Sequence, residues 1–91
     1  MYNNNEFNDA DFGIFLLESK FIAPGKEKFL VHWARKFLQY RKKNPQMAWP
    51  DQLPLFLENL TISEGYKDWQ IRQADQAVRL YFNNFLSPKD T

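Results

Sequence analysis

The side chains best placed to do chemistry in this chain are the cations of one short stretch. Between positions 20 and 43 stand Lys20, Lys26, Lys28, Arg35, Lys36, Arg41, Lys42 and Lys43 against Glu27 alone, a net +7 in a chain whose total is only +1. The flanking stretches are acidic: residues 1–19 carry −4 and residues 44–66 carry −3. A concentrated block of one sign in a nearly neutral chain suits a surface that meets a polyanion. Stepping by about 100° per residue sorts this block by face. Phe29, Leu30, Trp33, Phe37 and Tyr40 fall on one side, widened by Val31, Ala34 and Leu38. The opposite arc collects Lys28, His32, Arg35, Lys36, Gln39, Lys42 and Lys43, with no carboxylate among them. A face that is merely solvated mixes signs, because Glu–Lys pairs four apart stabilise a helix and like charges oppose it. This arc forgoes that stabilisation. It is a candidate phosphate-binding ridge, with Lys26 at its entry.

A second, softer candidate lies near the C-terminal end. Ile71, Ala74, Val78, Tyr81, Phe82 and Phe85 make an apolar stripe, and the other side presents Arg72, Gln73, Gln76, Arg79 and Asn83. With Lys67 at its start this face is weakly cationic and rich in amides. Glutamine and arginine can make bidentate contacts to purine edges in a major groove. Trp69 and Leu80 fall on that polar side, either packed against a neighbouring helix end or part of a docking surface.

Other chemistries lack their residues. Without cysteine there is no disulfide, thiolate nucleophile or cysteine-ligated zinc. His32 is the single histidine, so histidine-rich metal sites are excluded, and no Ser/His/Asp arrangement assembles around it. Gly13, Gly25 and Gly65 are isolated and form no phosphate-cradling loop. Neither a metal nor a cofactor is expected, and no catalysis by this chain alone. The longest apolar run, Ile14–Leu17, is far short of the ~20 residues that span a bilayer. Asn3-Asn4-Asn5-Glu6 replaces the basic segment of a signal peptide. The expectation is a cytoplasmic protein with no membrane partner.

The 91 residues, 44% apolar and 18% aromatic, suffice for one small core. Residues 1–8 read as a loose tail and 9–87 as the domain. A short, heavily buried helix over about Asp9–Lys20 offers Phe12, Ile14, Phe15, Leu16 and Leu17, and Ala23-Pro24-Gly25 breaks it. The basic helix then runs from about Gly25 to Lys43 and stops before Asn44-Pro45. Trp49-Pro50-Asp51 opens a third helix that buries Leu53, Leu55, Phe56, Leu57 and Leu60, with Pro54 tolerated in or near its first turn. After Ser63-Glu64-Gly65 a fourth helix spans about Tyr66–Leu86, stopped by Ser87-Pro88. No stretch alternates with period two. The fold class is all-α, a four-helix bundle.

These residues also resemble a known family. Lys26-Glu27-Lys28, then Trp33, Arg35, Phe37 and Tyr40, then a basic run ending in Asn44-Pro45, is similar to the second helix of the N-terminal SAM-like, or core-binding, domain of tyrosine recombinases, in particular phage- and integron-type integrases. Phe56-Leu57-x-x-Leu60 looks like that domain's third helix, and Gln73-Ala74-x-x-Ala77 followed by Leu80-Tyr81-Phe82 like its fourth. The order holds over about residues 10–87. The resemblance implies a SAM-like bundle that clamps duplex DNA during integration and recombination. It lays its second and fourth helices toward the major groove and backbone, opposite a catalytic domain of the same parent protein. The family's catalytic set, with its paired arginines and nucleophilic-tyrosine domain, is missing. The chain is then the DNA-holding half, with residues 88–91 opening a linker to the other half, and the setting implied is bacterial and nucleoid-associated, with possible self-association on DNA. The rival reading is a small helical module whose basic arc docks an acidic protein partner.

Overall fold

The computed structural model describes residues 9–20 and 22–86. Within them the chain forms four α-helices and no strand: α1 (Asp9–Ser19), α2 (Glu27–Arg41), α3 (Trp49–Ile62) and α4 (Asp68–Leu80). A π-helical turn, Tyr81–Phe85, continues α4 without a break. The all-α bundle expected from the sequence is the fold observed. The proposed tail (1–8) and linker (88–91) lie outside the described residues.

Local chemistry sets each boundary. Lys20, in left-handed geometry (φ 64°), ends α1, and Gly25 supplies the φ of 91° needed where the chain turns into α2. After Arg41 the helix tightens into three-residue bonds, Lys42 to Gln39, Lys43 to Tyr40 and Asn44 to Arg41, and Pro45 follows. The α3 start carries Pro50 within its first two positions, where no amide donor is needed. Because α3 begins at Trp49, Pro54 sits in the second turn, one turn deeper than expected, with its ring on the exposed side. Gly65 (φ 72°) then reverses the chain, and the Tyr66 amide donates back to the Leu60 carbonyl at 3.1 Å. At α4 the Gln70 side chain accepts the Lys67 amide at 2.9 Å.

The core is aromatic. Phe37 of α2 meets Phe56 of α3 edge-on at 5.1 Å and Phe82 of the π-turn at 5.9 Å. Phe12 of α1 meets Tyr81 at 5.2 Å and Phe85 at 5.3 Å. The i→i+5 bond from the Leu86 amide to the Tyr81 carbonyl (2.8 Å) widens the last turn. Phe82 is thereby turned onto Trp49, stacked at 4.8 Å, while Phe85 faces α1. Each fully buried phenylalanine is worth roughly 1.5–3 kcal/mol by transfer.

Four predicted core residues are instead exposed: Ile14 (52%), Leu17 (53%), Phe29 (49%) and Leu55. The physical reason is geometric. A bundle this small covers only one side of α1, through Phe12 and Leu16, and α2 and the π-turn are its neighbours. Phe29 lies at the border of the α2 stripe rather than in it. Leu80, on the polar side by projection, packs against the core, whereas Trp69 stays out.

Candidate functional site

The outward side of α2 carries a line of donors at alternating spacings of four and three: Lys28, His32, Arg35, Gln39 and Lys42. All five are exposed. That alternation keeps successive side chains on one helical face, so the line runs about 21 Å at 1.5 Å per residue. Lys36 and Lys43 flank it. Arg35 also keeps a contact of its own within the chain. The Lys43 ammonium lies 5.6 Å from the Tyr40 ring, which holds its stem along the helix. The inner side of the same helix buries Leu30, Val31, Trp33, Ala34 and Phe37, so the ridge is fixed on a rigid element by its own core stripe.

Neighbouring carboxylates temper the ridge. Lys36 pairs with Glu64 of the α3–α4 connection at 3.1 Å. Glu27 accepts the Gly25 amide at 3.0 Å and lines, with Lys28, His32 and Arg35, a shallow depression of about 440 Å³ against α1. Arg41 lies off the ridge, on the inner side of α2. Its guanidinium donates to the Met47 carbonyl (3.0 Å) and to Gln52 Oε1 (3.1 Å) and lies 5.8 Å from the Phe82 ring. It is a strut tying the end of α2 to α3, and Gln52 is buried because it receives that bond.

His32 and Arg35 stand three residues apart, one helical turn. In the fold the pair lies on the open face of α2, with the imidazole edge-on to the Trp33 ring at 5.0 Å. It belongs to the ridge.

On α4 the weakly cationic face carries Lys67, Arg72 and Arg79 against Asp68 and Asp75, a net +1. Arg79 donates through Nε to both Asp75 oxygens, at 2.9 and 3.1 Å, and Asp68 shares the outer face with Arg72. The projection of α4 had passed over both aspartates. Gln73 is held at one end: its Oε1 accepts the buried Trp33 indole N–H at 2.9 Å, so no bidentate contact through both its amide atoms is open to it. Lys67 is exposed at the helix entry, and Gln76 and Arg72 are exposed along it.

Eleven of the thirteen residues named from the sequence therefore form two groups. Lys28, His32, Arg35, Lys36, Gln39, Lys42 and Lys43 make the α2 ridge. Lys26, Arg72, Gln73 and Gln76 come together in a groove between the start of α2 and α4. Lys67 and Arg79 belong to α4 outside both. The signal that could have found the split was present: Lys26 is about 160° around the helix from Lys28, so the two cannot share a face.

Among the described residues no group of three or more His, Asp or Glu side chains could hold a metal ion, and no helix is long and apolar enough to cross a membrane. Burial raises the Tyr81 phenol above its ordinary value near 10 by desolvation. No family model matches the chain, and no curated protein and no solved structure matches it either.

Proposed function

We propose that the chain is a duplex-DNA-binding helical module whose α2 ridge contacts the phosphate backbone. The observation that supports this reading is the exposed Lys28–His32–Arg35–Gln39–Lys42 line, continuous on one face of a helix whose other face is locked in the core. A line of about 21 Å matches the reach of roughly six base-pair steps at 3.4 Å each. Phosphate contacts of this kind set position and carry no sequence information directly. The recombinase resemblance extends the proposal: the module is the DNA-holding part of a site-specific tyrosine recombinase, acting opposite a catalytic domain. Binding by the module alone falls in the ~10⁻⁴–10⁻⁶ M range of sequence-independent contacts.

The test is a titration of labelled duplex DNA, followed by anisotropy, with the protein and with Lys28→Glu/Lys42→Glu. Both side chains are exposed, so the variant keeps its helical circular dichroism. Affinity is expected to fall at least ten-fold. Unchanged affinity removes the ridge from DNA binding, and retention of an acidic protein partner by the wild type but not the variant would favour the docking-module reading instead.

A further inference from the structure

Lys26 and Leu30 face away from the ridge, toward α4. There they line a groove of about 410 Å³ with Trp69, Arg72, Gln73 and Gln76, within the ~300–1,000 Å³ of small-molecule sites. Its chemistry differs from that of the ridge. Trp69 is 57% exposed although it is the kind of side chain a small domain normally hides. Two cations, Lys26 and Arg72, stand beside it, and no carboxylate lines the groove among the described residues. Gln73 is oriented by the core. Because the Trp33 indole can only donate, Gln73 must offer it the carbonyl oxygen, which leaves its NH₂ as the hydrogen-bonding end. The lining is thus a flat aromatic surface, two positive charges and amide donors.

That combination asks for a ligand that is planar, anionic and rich in acceptors. We propose that the groove receives one unpaired nucleotide of a DNA strand, its base stacked on Trp69 and its phosphate held by Lys26 and Arg72. The Gln73 and Gln76 amides then meet the base edge. An anchored apolar peptide side chain is the poorer fit, because two cations and two amides stand in the lining. Stacking on an exposed tryptophan accepts any base, so the site is expected to be tolerant of sequence. The proposal stands on a different face from the duplex-binding ridge and does not require it.

The experiment compares a labelled single-stranded oligothymidine with an abasic oligomer of equal length and charge, by anisotropy at fixed salt. The wild type is expected to bind the intact strand about five-fold or more tightly than the abasic one. Trp69→Leu should abolish that difference while leaving duplex affinity within about two-fold, and Gln76→Glu, which places a negative charge in the groove, should weaken the intact strand as well. Lys28→Glu/Lys42→Glu should lose duplex binding and keep the preference for bases. Equal affinity for intact and abasic strands, or a preference that survives Trp69→Leu, overturns the proposal. Displacement of the strand from the groove by a glutamate-rich peptide of equal charge at equal concentration also overturns it, in favour of an acidic protein partner.

Discussion

A hydrogen bond between two side chains forty residues apart decides how α2 and α4 meet. The Trp33 indole N–H is buried and has Gln73 Oε1 as its acceptor. Gln73→Leu keeps the bulk and removes the acceptor, which leaves a desolvated donor at a cost of about 1–3 kcal/mol. The expected result is a lower urea midpoint with an unchanged slope, since the exposed area on unfolding is the same. Tyr81 adds a pH dependence. Its folded pKa lies above the unfolded value near 10, so the folded state holds the proton more firmly. The associated stability is complete below pH 10 and is lost as pH rises through the folded pKa. Tyr81→Phe should flatten that alkaline decline in thermal melts across pH 9–11, whereas a decline of the same steepness would show that Tyr81 does not carry it. Neither effect was visible in a helical projection, which records facing but not partners.

The helices differ in how plainly their residues announce them. In α2 the apolar and cationic side chains separate cleanly by angle, and the buried Leu30, Val31, Trp33, Ala34 and Phe37 all lie within the stripe that periodicity selects, while Phe29 at its border is exposed. By contrast α1 carries apolar side chains on both sides, Phe12 and Leu16 on one and Ile14 and Leu17 on the other, so polarity alone does not say which pair is buried. Only the arrangement of neighbours decides. Arg41 is a different case: its angle, about 60° from Lys26, already puts it on the inner side, but its partners there, Gln52 and the Met47 carbonyl, are given only by the fold. The α3–α4 connection adds an element that sequence distance conceals, because Glu64 reaches Lys36 across 28 residues. An exposed pair is worth only about 0.2–1 kcal/mol, and Lys36 must give that up before it can meet a phosphate. Glu64→Gln should therefore raise duplex affinity by up to about five-fold at low salt, with the gain fading as salt screens the pair. A loss of affinity on this substitution would show that Lys36 does not contact DNA.

At the scale of the whole molecule, charge matters more than shape. The chain is nearly neutral overall, so attraction to a polyanion must come from local fields, that of the ridge in the case of duplex DNA. If Lys28, Arg35, Lys36 and Lys42 each neutralise one phosphate, log affinity should fall against log salt with a slope of about −3 to −4. A slope near −1 would mean that single cations act separately and that the ridge does not seat on a backbone. The bundle itself was legible from apolar periodicity and from the proline and glycine punctuation. The division of the cations between two faces was legible as an angle, but that Lys26 meets Arg72 and Gln76 was not, because it depends on which side of α2 the fourth helix occupies.

The closing of Phe12 and Phe15 on Phe85, each at a ring separation near 5.3 Å for the Phe85 contacts, ties the beginning of the helical sequence to its last turn. Neither segment can detach without stripping the other of its cover. Amide protons in α1 and in the Tyr81–Phe85 turn should consequently exchange with solvent as a single cooperative opening, ahead of the α2–α3 interior.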